Sequence, residues 1–316
     1  MYVRRGERVT LLGSGRIRWS ATCHGGPKYH LWGRVPGGEI FGCTQDTTTV
    51  VIDHGGPLEL CVYLGIWADS TGTLATGEGP YRKERGALEV TVLRWPPGTD
   101  PVDGLAALEP GTADPRLVAA ERARLLDPVV PPAGWTYLRD IGPADIYRHA
   151  VLDGRPAVDV VCADDAGILV KEVDLALRPG TELAWSWRID QLPGGAREDT
   201  AFSHDYLSIA TVFDNGRDLT WLWSAALPPE QAFACPVRGW SDRETHLPIR
   251  SGIAGLGSWR REVRDVWADH ERFLGPPPAR ITAVWLIAVS HFGHGCGRAT
   301  FTDITLGSGE ERLAVL

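Results

Sequence analysis

Leu183-Ala184-Trp185-Ser186-Trp187-Arg188-Ile189-Asp190 is the stretch whose reading decides the fold. Side chains alternate faces along a strand, so Trp185, Trp187 and Ile189 share one side, and Ser186, Arg188 and Asp190 the other. Each indole carries a large apolar area and one N–H that needs an acceptor, so a pair at spacing i, i+2 demands a broad covered face. The polar opposite side assigns Trp185 and Trp187 to a core between two sheets. Further along, Trp221-Leu222-Trp223-Ser224 repeats the spacing. That strand is apolar on both sides, which leaves open whether its rings meet a core or a groove.

Working outward, strands are expected near 146–151, 157–162, 167–175, 182–190, 205–213, 218–225, 244–250, 281–290 and 299–306. Asn215-Gly216 between two of them reads as a hairpin turn. A helix interrupts the series, capped by Asp265 and stopped by Gly275 and three prolines. Upstream, Val9–Leu12, Ile17–Trp19, the β-branched run Thr47–Ile52, Leu58–Leu64 and Leu88–Leu93 are strand-like, with Gly/Pro turns between them. Between the two β regions, Asp114 and Pro115 form a helix start, with Leu117, Val118, Leu125 and Leu126 near helical period. The patterns predict an all-β protein. Two β-sandwich domains, of jelly-roll or galactose-binding-like type, occupy 1–95 and 135–316. A Pro-rich linker over 96–134 joins them and contains one helix at 114–126.

The chain has 316 residues, 43% hydrophobic and 23% charged, with a formal net charge of −8. Its basic residues are scattered, which excludes the basic face of a nucleic-acid binder. No apolar run approaches the ~20 residues of a membrane-spanning helix, and the N-terminus lacks the apolar centre of a secretory signal. A cytoplasmic protein with no membrane partner is expected. None of the six cysteines forms a CxxC pair, so a zinc motif finds no support and all six read as structural thiols, Cys61 and Cys162 as small buried hydrophobes. No metal site and no cofactor are expected.

From Leu183–Asp190 through Asp205-Tyr206, Val212-Phe213-Asp214, Trp221–Ser224, Ser258-Trp259-Arg260-Arg261-Glu262-Val263, Phe273-Leu274-Gly275 and Ile281–Val289, the order of motifs resembles the family known as domain of unknown function DUF3047. The resemblance covers roughly 135–306 and implies a jelly-roll sandwich without an agreed activity. Many relatives carry an acidic loop after the last long strand, where this chain has Ser290-His291-Phe292-Gly293-His294-Gly295. Arg5–Thr10, Leu58–Val62 and Tyr81–Val90 resemble the calcium-dependent galactose-binding lectin sandwich of bacteria. Its calcium loop is not carried over, because Lys83, Glu84 and Arg85 make a poor oxygen cage.

Strand alternation places His204, Tyr206 and Ser208 together, and Glu244, His246 and Arg250 together. With Arg188 and Asp205 they supply an imidazole, carboxylates and a cation, a set suited to acid–base chemistry. One reading is therefore an enzyme that binds an apolar or hydroxylated small molecule in an aromatic groove of the C-terminal sandwich. It would act without a cofactor as a cyclase, isomerase or lyase, through catalytic Asp205, His246, Arg188, His204 and Glu244. Tyr206, Trp221, Trp223, Arg250 and His291 would hold the substrate. The other reading is a non-catalytic, lectin-like protein with a sugar ligand. A third is a structural protein whose tryptophans are all core.

Overall fold

A computed structural model describes residues 1–18, 24–77, 79–83, 85–309 and 311–316. Trp19 and Glu84, named above, and Cys23, one of the six cysteines, lie outside the described residues. The protein is all-β with few helices, and its chain divides into two compact units. Unit one comprises Met1–Pro128 with Arg139–Pro143, and unit two Val129–Leu138 with Ala144–Leu316.

In unit one, Arg8–Arg18 pairs antiparallel with Thr47–Val51 and along its whole length with Arg85–Trp95. Val3, Val9, Leu11, Leu31, Val35 and Ile52 form its core. A separate three-stranded sheet runs in the order Phe41–Gly42, Leu31–Arg34, Glu59–Val62. The segment expected to be a linker belongs largely to this unit. Its helix Pro115–Leu126 is capped by the Asp114 carboxylate, which accepts from the Arg116 N–H at 2.8 Å. A buried acid ties it down. Glu121 is fully buried and accepts from the hydroxyls of Thr47 and Thr49 at 2.7 and 2.6 Å, with Arg124 pairing its charge. A linker reading treats Glu121 as solvated, and only the facing threonines reveal otherwise.

Unit two is a two-sheet sandwich. One sheet runs Thr136–Tyr137, Ala166–Ala176, Arg280–Val289, Tyr206–Phe213, Asp218–Ser224, Glu244–Ser251, Phe233–Ala234. The other runs Tyr147–Leu152, Arg155–Ala163, Cys296–Ser308, Glu182–Gln191, Arg260–Asp265. Asp214 to Arg217 forms the hairpin turn, with Gly216 at φ 77° where a side chain would be strained. Within the first sheet, Asp218–Ser224 and Glu244–Ser251 are parallel, while the other pairings among the described residues are antiparallel.

The core between the sheets holds Trp185, Trp187, Trp221 and Trp223, each at most 1% exposed. Trp185 meets Trp221 at 6.2 Å between ring centroids, and Trp187 meets Trp223 at 5.9 Å, so the two pairs interleave across the sandwich. Their polar tips are mostly satisfied. Trp187 donates to Glu262, Trp221 to Asp269 at 2.9 Å, and Trp223 to the Gly252 carbonyl at 2.9 Å. Tyr147 crosses the core as well, its hydroxyl within hydrogen-bond distance of the Gly167 and Leu286 carbonyls at 2.8 and 2.9 Å. Burying four indoles rather than smaller aliphatics makes this core the chief apolar contribution to the unit.

Candidate functional site

Two sites merit description. The first lies in unit two, on the side of the seven-stranded sheet away from the tryptophan core. Leu207 and Ile209, Trp221 and Trp223, and Leu247 face the core. Tyr206, Asp218, Thr220, Glu244 and His246 therefore face the other way. His204 and Cys235, from the flanking chain, join them. All are enclosed: His204, Tyr206, Cys235, Glu244 and His246 are at most 4% exposed, so no substrate touches them as they stand. Phe233 stacks on His246 with centroids 4.9 Å apart, and Phe292 lies 6.2 Å from His204.

The distances within this cluster are short. His204 Nδ1 sits 2.5 Å from the Glu198 carbonyl oxygen, and His204 Nε2 is 3.4 Å from Cys235 Sγ. Tyr206 donates to Glu244 Oε1 at 3.3 Å, while Glu244 Oε2 is 3.4 Å from His246 Nε2. Burial lowers the His204 pKa to about 4, with the His246 charge adding to the effect. For Glu244, burial opposes ionisation, but the neighbouring His246 and Cys235 outweigh it and hold the carboxyl at about 2. Burial, and then the Glu244 charge, push the Asp218 carboxyl and the Cys235 thiol well up.

The other expected site residues do not converge here. Arg188 lies in the opposite sheet, paired with Asp190 at 2.9 Å and over the Trp259 ring at 5.5 Å. A register shift between Leu222 and Trp223, opposite Pro248 and Arg250, breaks the alternation. Arg250 therefore leaves the face of Glu244 and His246, pairs with Glu262, and lies 5.6 Å from the Trp223 ring. Trp221 and Trp223 are core rather than the wall of a groove. Asp205 fastens a loop: its carboxylate accepts from the Phe292 and Gly293 N–H groups at 2.9 and 2.6 Å. A Cβ on Gly293 would come 2.8 Å from Asp205 Oδ2, so the clamp needs glycine there. His291 sits in a separate, more exposed group, 3.5 Å from Asp164, which His294 approaches at 2.7 Å. Cys235, read as a structural thiol, and Asp218, read as part of a hairpin turn, are cluster members that sequence reasoning missed, and no local spacing marks them.

The second site is a groove of about 570 Å³ in unit one. Register places Trp32 opposite Cys61 and Arg34 opposite Glu59, so these four side chains share one face of the three-stranded sheet. Cys61, expected to be buried, is exposed because its strand is an edge whose face opens to this groove. Trp32, Tyr63 and Trp67 cluster beneath, with Tyr63 and Trp67 stacked at 4.4 Å and Trp32 edge-on to Trp67 at 5.5 Å. Trp32, Trp67 and Tyr81 line the groove together with Ile40, Leu60 and Leu74. The Arg34 Nε donates to Glu59 at 2.9 Å and its Nη1 to the Thr71 carbonyl at 2.8 Å, which fixes a charged pair at the rim. The buried Nε1–H of Trp67 makes no hydrogen bond. None of these residues carries a motif, although Trp32 and Arg34 show the same i, i+2 spacing that marks the tryptophan strands.

A family profile described as protein of unknown function (DUF3047) matches residues 135–305. No curated protein matches the chain. Among solved structures, the xyloglucanase domain of NopAA, a type three effector from Sinorhizobium fredii in complex with cellobiose, is similar at 9% identity. That match covers 57% of this chain and 95% of that one, with a TM-score of 0.32. The tandem CBM22-1–CBM22-2 domain of Paenibacillus barcinonensis Xyn10C is similar at 12% identity over 98% of this chain and 80% of that one, TM-score 0.28. A carbohydrate-binding module of the β-sandwich superfamily is similar at 10% identity over 88% and 84%, TM-score 0.24. At such scores the architecture rests on the sheets themselves.

Proposed function

The chain belongs to the DUF3047 family through residues 135–305, and we propose that it binds a carbohydrate without transforming it, in the groove of unit one. The observation that carries this reading is the groove itself: an aromatic floor of Trp32 and Trp67, a Tyr81 wall and a fixed Arg34–Glu59 pair at the rim. Sugars present apolar C–H faces and a ring of hydroxyls. Aromatic faces accept the former, and a carboxylate beside a guanidinium takes adjacent hydroxyls as acceptor and donor. At about 570 Å³ the groove falls within the ordinary range of small-molecule sites, about 300–1,000 Å³.

Binding is favoured over hydrolysis because glycosidases flank the scissile bond with two carboxylates. Among the described lining residues Glu59 is the sole acid. Acid–base chemistry at His204, Glu244 and His246 has less support, since those groups are enclosed and Arg188 and Arg250 lie elsewhere. The test is a glycan array followed by calorimetry on the best hit. Glu59→Gln and Arg34→Ala should each weaken binding at least tenfold. Their effect on stability should be slight, because the pair is exposed and such pairs contribute about 0–1 kcal/mol. A folded protein that leaves the array blank, or binding that both variants retain, rejects the reading.

A further inference from the structure

We propose that His204, Cys235, Glu244 and His246 form a structural zinc site in unit two. One ligand atom from each lies within 4.8 Å of the others, and all four side chains are buried. Two of the separations, His204 Nε2 to Cys235 Sγ and His246 Nε2 to Glu244 Oε2, are already 3.4 Å. Tetrahedral zinc with bonds of about 2.0–2.3 Å places its ligand atoms about 3.3–3.8 Å apart. The remaining pairs, none farther apart than 4.8 Å, need to contract by about 1.5 Å at most.

The surroundings prepare each donor. A backbone carbonyl can only accept, so Glu198 O fixes the proton of His204 on Nδ1 and leaves a lone pair on Nε2, directed at Cys235. The Tyr206 hydroxyl holds Glu244 through Oε1, leaving Oε2 toward His246. Neither ring nitrogen of His246 makes a hydrogen bond, although the side chain is wholly buried. Its Nε2 has only the Glu244 carboxylate at 3.4 Å, outside hydrogen-bond geometry, and a metal would give the ring a bond in that place. Two imidazoles, one thiol and one carboxylate form a borderline-soft set that suits zinc and not calcium or magnesium, which take oxygen.

Charge points the same way. On binding, Cys235 gives up its proton to solvent, and thiolate plus carboxylate neutralise the dication, so the buried assembly carries no net charge. Four protein ligands in an enclosed site leave no open position for a substrate, which marks the role as structural. The metal would join the segment entering Tyr206–Phe213, the chain just after Phe233–Ala234, and Glu244–Ser251.

The full-length protein, expressed in zinc-supplemented medium and dialysed, should contain about one zinc per chain by mass spectrometry. Chelator-stripped protein should take up cobalt(II) with the visible bands of a tetrahedral site and a thiolate-to-cobalt charge-transfer band. Cys235→Ser should abolish that band, and His246→Gln should reduce metal content severalfold. His294→Ala, in the exposed group with Asp164 and His291, should change neither. If the stripped wild type is folded by circular dichroism and binds neither zinc nor cobalt, the site does not exist. If His294→Ala removes the metal and Cys235→Ser does not, the metal belongs to the exposed group and the proposal fails. Should Cys235→Ser be insoluble, the charge-transfer band of wild-type cobalt protein decides between the two groups, because the exposed one has no sulfur.

Discussion

The two units use the same kind of residue in opposite ways. In unit two, tryptophans at i, i+2 on Glu182–Gln191 and Asp218–Ser224 interleave between two sheets, buried in the core. In unit one, Trp32 and Trp67 are also largely buried, yet part of each ring lines an open groove. What separates them is the neighbour across the sheet. A second sheet covers Trp185, Trp187, Trp221 and Trp223, whereas the small sheet of Leu31–Arg34 has an uncovered face beside Glu59–Val62. Aromatic spacing fixes which side of a strand is apolar, and only the layer above it decides between a core and a binding wall.

Large-to-small substitutions test that contrast. Trp221→Ala should cost about 4 kcal/mol in urea unfolding, because it opens a sealed cavity and leaves the buried Asp269 carboxylate short of a donor. A loss below about 1 kcal/mol would show that the core is not sealed. Trp67→Ala should cost less, about 2 kcal/mol, since its ring already has open space on one side and no hydrogen bond to lose. Equal costs at the two positions would erase the difference between wall and core.

A smaller effect distinguishes the units by pH. Burial lowers the His270 pKa below 6.5, and its Nδ1 lies 3.0 Å from the Gly275 carbonyl, edge-on to Phe213. Below pH 6.5 the unfolded chain therefore binds a proton that the folded state resists, so stability falls as the pH drops and is fully present above 6.5. His270→Asn should flatten that part of the acid dependence of unit two, read as the difference in urea midpoint between pH 7.5 and 5.5. An unchanged slope would mean that the ring titrates freely in the folded protein.

The strands, the Asn215-Gly216 hairpin and the Asp265-capped helix Val266–Leu274 were legible because each follows from local pattern. So was the outward face shared by Tyr206, Glu244 and His246. Arg188 was misplaced because alternation names a face of a strand but not the sheet that contains it. Arg250 was misplaced because one extra residue at Ile249 reverses parity, and a bulge has no signature in a run such as Leu247-Pro248-Ile249-Arg250. Cys235 and Glu121 were missed for a common reason. Their partners, His204 and Thr47 with Thr49, are far away in sequence.

The one parallel pairing among the described residues, Asp218–Ser224 beside Glu244–Ser251, has a kinetic consequence. The hairpin of Tyr206–Phe213 with Asp218–Ser224 closes through a tight turn, but a parallel neighbour requires the chain to travel back along the sheet before it can pair. We expect Glu244–Ser251 to dock late in folding, after the loop that carries Phe233 and Cys235 has been laid down. Contacts formed after the rate-limiting step govern how fast a protein comes apart more than how fast it assembles. Whatever holds Glu244 and His246 in place would then set the lifetime of the sandwich rather than its rate of formation.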